Sequence, residues 1–491
     1  MATTTSTSTK HQQHHVVAVA VPAQGHLTPV MRFCNLLAKQ DNLIVTFVDF
    51  DPIHQRLEEL HNLHPPPAAA AACESQPSIR RVHIPIHGLD ISKNFSVSFQ
   101  AFFEALRSIA PYLEQLILDL NRDGPTVTCL LSDFFITLPT QQVADKLGIP
   151  RIVQYPCCAS RLLLMHYLME EVHFSIQEVI TAVATTGLES EEVFCEGLPG
   201  LPTLFNKDIP HFKHVTDDTL FCWKLATQGW HLCNTRAHAV VVNSFEELEA
   251  STFATLSQCC NVPIYDVGLW TEPLSEEMAT NLWKEDKTCM TWLDRQPVSS
   301  VLYISFGSIT LMSEAQYSEL VDGLLLSEQR FLWVFRPGLV ESIDYSASVA
   351  EIMSRSEGRG LIINWAPQLQ VLEHRSVGGF LTHCGWNSTS ESIAHGVPML
   401  CWPYFADQPL NARLIVDVWQ VGLSIMQGCS RGKHSLIERG EIERVIRALM
   451  EGEEGNVVRD NAKKLMGKSS QCLQKNGSSH IKLKALVASL F

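Results

Sequence analysis

The chain has 491 residues, 46% hydrophobic and 18% charged, so it can bury a sizeable core and is not a disordered or low-complexity protein. Lys plus Arg number 37 against 52 Asp plus Glu, a formal net charge of −15, which argues against a broad basic surface for nucleic acid or anionic membrane. The length fits two large domains or three ordinary ones.

The N-terminus reads as a polar tail, 1–14, whose His11/His14/His15 cluster is too sparse for a metal site. The apolar run Val16–Val21 is shorter than a signal-peptide core and leads into PAQGH without a cleavage pattern. No stretch approaches the ~20 apolar residues of a membrane span. Fifteen cysteines form an odd set with two vicinal pairs, Cys157/Cys158 and Cys259/Cys260, and no CxxC, a usage that suits reduced thiols in the cytoplasm.

Short apolar or β-branched runs alternate with helical patterns. Strands are expected at Val16–Val21, Leu43–Val48, Val127–Leu131, Ile152–Tyr155 and Ala239–Val242, and again at Val301–Ser305, Phe331–Phe335, Leu361–Asn364, Gly379–Leu381 and Met399–Trp402. Between the first two, Val30, Phe33, Cys34, Leu37 and Ala38 share one helical face, so a helix over Thr28–Lys39 is expected, with Thr28 as N-cap and Pro29 in its first turn. The βαβ alternation occurs twice, which predicts an α/β protein of two doubly wound domains facing one another across a cleft. The expected limits are 15–268 and 289–475, joined by a linker at 269–288 whose polar stretch is Thr271–Lys287. A final helix, 476–491, is long enough to pack back on the first domain. His64–Ala72 (HPPPAAAAA) reads as a low-complexity loop.

Common catalytic motifs are missing. There is no GxGxxG, GxSxG or HExxH, and Gly467-Lys468-Ser469 is no phosphate loop because Ala462 stands where glycine is needed. Asp49-Phe50-Asp51 has the DxD form of a divalent-cation ligand, although a loop carboxylate after the second strand is the commoner use of such residues.

The segment Trp365–Gln408, WAPQLQVLEHRSVGGFLTHCGWNSTSESIAHGVPMLCWPYFADQ, is 44 residues long. In residue types and length it resembles the donor-binding box of the plant family 1 UDP-sugar-dependent glycosyltransferases. The likeness extends to PAQGH at 22–26, LLSDFF at 130–135, NSFEELE at 243–249 and SFGS at 305–308. The two-domain GT-B fold is what this resemblance implies.

Physical roles can be assigned along the box. Trp365 can stack on uracil while the Ala366 backbone reads the base edge, and Gln368 and Glu391 can bind ribose hydroxyls. Gly385 permits a tight turn after the strand Gly379–Leu381. A helix starting near Trp386 would then bring its first amides, with His383, Asn387, Ser388 and the Ser308 hydroxyl, onto a diphosphate. Asp407 and Gln408 can grip vicinal sugar hydroxyls, and in the family a terminal Gln with Trp at position 386 goes with UDP-glucose. In the box the only cation is Arg375, against Glu373, Glu391 and Asp407, so diphosphate binding is expected to rest on amides, hydroxyls and His383, without a cation cluster or a metal.

His26 and Asp133 fall at the carboxyl ends of the first and third expected strands. They suit a general base and its orienting carboxylate: His26 takes a proton from an acceptor hydroxyl, whose oxygen attacks the sugar C1 as UDP leaves with inversion. Pro156-Cys157-Cys158 departs from the family, which often has a small hydroxyl residue there. The expected activity is glucosyl transfer to a small lipophilic hydroxylated acceptor, a plant phenolic, hormone or terpenoid. The acceptor would be held by segments around Phe95–Arg107 and Leu162–Ile176, and no obligate protein partner is called for. The alternatives are a non-catalytic UDP-sugar-binding protein, a transferase using another UDP-sugar, and a hydrolase using the same His/Asp pair on water.

Overall fold

The computed structural model describes residues 13–61, 79–88, 99–170, 192–210, 217–425 and 436–490. His11, the 64–72 loop and parts of the expected acceptor segments (95–98 and 171–176) lie outside these. The strands are β1 His14–Val19, β2 Leu43–Phe50, β3 Ile79–Ile84, β4 Val127–Asp133, β5 Arg151–Tyr155, β6 Val193–Cys195, β7 Leu204–Phe205, β8 Ala239–Val242 and β9 Ile264–Asp266. In the second half they are β10 Val301–Ser305, β11 Arg330–Val334, β12 Gly360–Ile363, β13 Val377–Thr382, β14 Met399–Cys401 and β15 Gly422–Ser424.

Two parallel sheets result, ordered β3-β2-β1-β4-β5-β8-β9 and β12-β11-β10-β13-β14-β15. Their strands are covered on both faces: Val16 and Ala18 enter one core, and Val17 and Val19 enter another, as the two-residue period of a strand requires. Of the strands that the hydrophobic pattern missed, β3, β9 and β15 lie at the edges of these sheets, and β6 and β7 form a separate antiparallel pair. Edge strands are short or carry charge, as the two arginines of IRRVHI do, so they give little apolar signal.

Two local expectations need correction, and the use of the DxD carboxylates is defined. The tail ends sooner, because His14 opens β1 and His15 is buried between the Pro125 carbonyl (3.0 Å) and Thr46 Oγ1 (2.8 Å). The first helix is Gln24–Ala38, not Thr28–Lys39; Ala23 is its N-cap residue and Pro29 lies inside it. Pro29 has no N–H to give the Gly25 carbonyl four residues back, and Asn387 Nδ2 from the second domain supplies the missing donor at 2.8 Å. Finally, Asp49 is fully buried in a two-pronged ion pair with Arg81 (2.9 and 3.0 Å), and Asp51 pairs with His83 at 2.7 Å. The DxD carboxylates are thus engaged as structural partners on separate side chains.

The stretch 271–287 is strung along the cleft. Gln24 accepts from the Leu282 amide (2.9 Å) and donates to Asn281 (3.1 Å), Thr28 meets Thr280 at 3.0 Å, and Arg81 donates to the Ala279 carbonyl at 2.7 Å. An apolar seam also joins the domains, containing Phe134 and Tyr155 on one side and Trp386 and Met399 on the other. The last helix, Ser478–Leu490, lies against the first domain: Leu483 and Leu486 enter its core, and Lys482 pairs with Asp266 at 2.6 Å. All cysteines among the described residues are free thiols, and no helix of these residues is long and apolar enough to cross a membrane.

Candidate active site

Each sheet reverses strand order once, between β1 and β4 and between β10 and β13. At such switch points the chain departs in opposite directions and leaves a crevice beyond the strand ends. His26 follows β1 and Asp133 ends β4; Ser308 follows β10 and His383 follows β13. The two crevices face a common cavity of about 730 Å³, lined by His26, Ser308, Trp365, Ala366, Gln368, His383, Trp386, Asn387, Ser388, Glu391, Asp407 and Gln408. Asp133 lies behind His26.

His26 sits in the first turn of the helix, three residues after its N-cap. Its Nδ1 is 2.7 Å from Asp133 Oδ2, and the other carboxylate oxygen accepts from the Phe135 amide at 2.8 Å. Asp133 is fully buried, which fixes its rotamer and that of the imidazole. Burial pulls the His26 pKa down, but the charge and hydrogen bond of Asp133 and the charge of Asp407 outweigh it, so the net shift is upward. With Nδ1 occupied, Nε2 is the nitrogen left for substrate.

His383 is held between two loops. A Cβ on Gly307 would fall 2.6 Å, and one on Gly385 2.5 Å, from its Nε2. Gly385 therefore makes room for the ring and not a tight turn: its φ is −61°, and the positive φ, 65°, belongs to Cys384. Burial lowers the His383 pKa to about 4; the Ser305 backbone works in the other direction and the charge of Arg336 adds to the lowering. The imidazole is neutral at pH 7 and acts as a hydrogen-bonding group. The helix Trp386–His395 begins immediately after Gly385, so its positive end faces the cavity.

Arg336 was not foreseen. It is buried, donates to the carbonyls of Thr310 and Gly307, and so braces the Gly307–Thr310 turn that carries Ser308. Burial lowers its pKa to about 10, which leaves it cationic.

Gln368 and Glu391 are already linked at 2.7 Å, with Gln368 also bonded to Ser388 (3.1 Å) and to the Tyr303 hydroxyl (3.1 Å). Glu391 Oε1 accepts from Arg32 Nη1 of the first domain at 2.7 Å. One face of Trp365 stacks on Trp283, with centroids 4.6 Å apart and planes 21° apart, leaving at most one face for a base. Trp283 and Arg32 went unnoticed because nothing in a linker or a helix face marks which residue of another domain it will meet.

At the far end, Asp407 accepts from Asn411 at 2.8 Å and contacts the Cys157 thiol. Burial raises the pKa of Asp407, against the opposing pull of Asn411 and Arg161. Cys157 thus stands where a hydroxyl was expected and reaches the same carboxylate. Gln408 uses its oxygen to accept from the amides of Tyr404 (2.8 Å) and Phe405 (3.1 Å), so its side-chain oxygen is committed to the turn. Trp386 is 3% exposed and gives its N–H to the Asn243 carbonyl at 3.0 Å, which commits its polar atom to the domain interface.

The expectation of a site without cations also changes, since Arg32, Lys284 and Lys287 line the cavity from outside the box. A second cavity of about 180 Å³ adjoins the first and shares His26, Pro156, Cys157 and Asp407 with it. It extends to Phe103, Phe135, Arg161 and Trp223. Leu162, Leu163 and Leu164, expected in an acceptor pocket, are core residues instead.

Two doubly wound domains with convergent switch points are the GT-B architecture, and solved structures agree. That of UGT2 from Phytolacca americana, complexed with UDP-2fluoro-glucose and pterostilbene, superposes with a TM-score of 0.74 at 29% identity over 97% of this chain and 99% of that one. Residues 279–433 match the family model described as UDP-glucoronosyl and UDP-glucosyl transferase. UDP-glycosyltransferase 85A7 of Arabidopsis thaliana is 34% identical over 98% of this chain and 97% of its own length. The 7-deoxyloganetin glucosyltransferase of Gardenia jasminoides is 32% identical over 95% of each. The chain belongs to the UDP-glycosyltransferase family and is a transferase of that class.

Proposed function

We propose that the protein transfers glucose from UDP-glucose, with inversion, to a hydroxyl of a small lipophilic acceptor. The observation that carries this reading is the His26–Asp133 pair, 2.7 Å apart, with His26 on the wall shared by the two cavities. The larger cavity takes the donor and the smaller the acceptor. His26 Nε2 removes the acceptor proton, the oxygen bonds to the sugar C1, and the C1–O bond to UDP breaks on the opposite face. Asp133 holds the imidazole and stabilises the imidazolium.

In this reading Trp365 and Ala366 hold uracil, and Glu391 with Gln368 holds ribose. Ser308, His383, Asn387, Ser388 and the amides after Gly385 hold the diphosphate. Asp407 and Gln408 meet the sugar, with Trp386 closing that end. Glucose is favoured by the Trp386/Gln408 combination and by the glucosyl donors and transfers named for the relatives. No metal is assigned: both DxD carboxylates are engaged with Arg81 and His83, and cationic side chains line the donor cavity. The free thiols suit a reducing compartment, the cytoplasm.

The test is an acceptor panel supplied with UDP-glucose, UDP-galactose, UDP-xylose and UDP-glucuronic acid, read by mass spectrometry, with product configuration by NMR. A β-glucoside from the α-linked donor is expected with wild type and none with His26→Ala, whose UDP affinity should stay near wild type. Unchanged turnover in His26→Ala would remove the assignment, and release of free glucose without acceptor would favour hydrolysis.

A further inference from the structure

The smaller cavity is walled largely by apolar side chains, among them Phe103, Phe135, Trp223 and Leu225, yet His26, Asp407 and Arg161 also line it. The guanidinium carbon of Arg161 lies 4.8 Å from the Trp223 ring centroid, within cation–π distance. Arg161 Nη1 is buried and has no hydrogen-bond partner, and no carboxylate among the described residues forms an ion pair with it. Buried polar atoms are rarely left so, because each costs free energy until something satisfies it.

The surroundings narrow what that something is. Arg161 is the third residue of the helix Ala159–Glu170, but the amides of Ala159 and Ser160 are already capped by Glu249 at 3.1 and 2.8 Å. An incoming group would therefore meet the guanidinium and not a free helix end. Asp407 senses Arg161 electrostatically but takes its hydrogen bond from Asn411.

We propose that Arg161 is an anion subsite of the acceptor pocket, selecting hydroxylated acceptors that also carry a carboxylate. A carboxylate matches the planar fork and balances a half-buried charge, which a neutral carbonyl does only in part. The acceptor is then held at one end by Arg161 and presents its hydroxyl to His26 at the other. This rests on the reading of the smaller cavity as the acceptor site.

The test uses the full chain with UDP-glucose and matched acceptors, a hydroxycinnamic acid and its methyl ester, in wild type, Arg161→Leu and Arg161→Lys. Wild type should favour the acid by about 10–100-fold in kcat/KM, the range of a charge-assisted hydrogen bond, with the difference carried by KM. Arg161→Leu should lower kcat/KM for the acid about 10-fold or more beyond any loss for the ester, so that the preference disappears, and Arg161→Lys should restore part of it. Equal losses for acid and ester would make Arg161 a counter-charge to Asp407 and overturn the proposal, as would wild type that ignores the carboxylate. An alkali-labile glucose ester as product would also overturn it, since the carboxylate would then be at His26. If wild type glucosylates neither acceptor but does glucosylate others, these two are not its substrates; if it glucosylates no acceptor of the wider panel, the transfer reading fails on its own account. Calorimetric binding of acid and ester to the UDP-loaded protein then decides the subsite, with discrimination in wild type but not in Arg161→Leu supporting it and none in either overturning it.

Discussion

Arg32, on the first helix of the N-terminal domain, places Nη1 2.7 Å from Glu391 Oε1 on the facing helix of the C-terminal domain, with side chains only 10% and 6% exposed. The pair spans the cleft at the proposed ribose site. Removing one member of a buried pair leaves the other uncompensated, at a cost of about 3 kcal/mol or more. Arg32→Leu should therefore lower the melting temperature by several degrees, and Glu391→Gln should raise the KM for UDP-glucose by about 10-fold through the loss of a charged hydrogen bond. Calorimetry and donor kinetics check the two; an unchanged donor KM in Glu391→Gln would remove it from the ribose site.

The His26 pKa is raised because the charge and hydrogen bond of Asp133 outweigh burial. The working form is neutral, so kcat/KM should rise with pH through an acid limb above the ordinary value of about 6.5. Asp133→Asn removes the raising influence, so its acid limb should move to lower pH while the rate falls by about 10² or more. The same linkage acts on stability: the ion pair stabilises fully below the unfolded value and its contribution is lost as pH rises through the folded one. A pH–rate profile with an unmoved limb in Asp133→Asn would contradict this.

Gly385→Ala should disable donor binding through His383, because the added Cβ would fall 2.5 Å from the ring at an unstrained φ of −61°. His383→Ala creates the space, so the double variant should be less impaired than the two single losses combined predict. A double-mutant cycle on the KM for UDP-glucose measures the coupling; strict additivity would mean that the ring is not the obstacle.

Asp49→Asn should cost stability and leave metal dependence untouched, since Asp49 is the buried partner of Arg81 and Arg81 in turn holds the Ala279 carbonyl of the linker. The expected result is a lower melting temperature with activity equal in EDTA and in magnesium. Loss of activity in EDTA would overturn the assignment of a metal-free site.

Cys259 should be alkylated ahead of Cys260. The two sulfurs are 3.9 Å apart, and the hydrogen bond from Cys260, opposed by burial and helped by His166, lowers the pKa of the Cys259 thiol while that of Cys260 is raised, so Cys259 carries the larger thiolate fraction. Mass spectrometry after brief iodoacetamide treatment at neutral pH identifies the labelled residue, and Cys260→Ala, which removes the hydrogen bond, should slow it.

The two βαβ series, the positions of the central strands and the box that lines the donor cavity were all legible in the residues alone. Central parallel strands must be apolar on both faces, and that requirement is written locally. Edge strands such as β3 escaped because they carry charge at little cost, and the first helix was begun four residues late because Pro29 suggested a first turn. Tertiary structure decided which atoms of the site are already spoken for. Asn387 answers a carbonyl that Pro29 leaves open, Arg32 pairs with Glu391, Trp283 covers Trp365, and Arg161 lies against Trp223 in the smaller cavity. Each of these depends on a partner from a different element, in three of the four cases from across the cleft or its linker. Hydrogen bonds and stacking act over a few ångströms of space, whereas sequence patterns report only which face a residue turns within its own element.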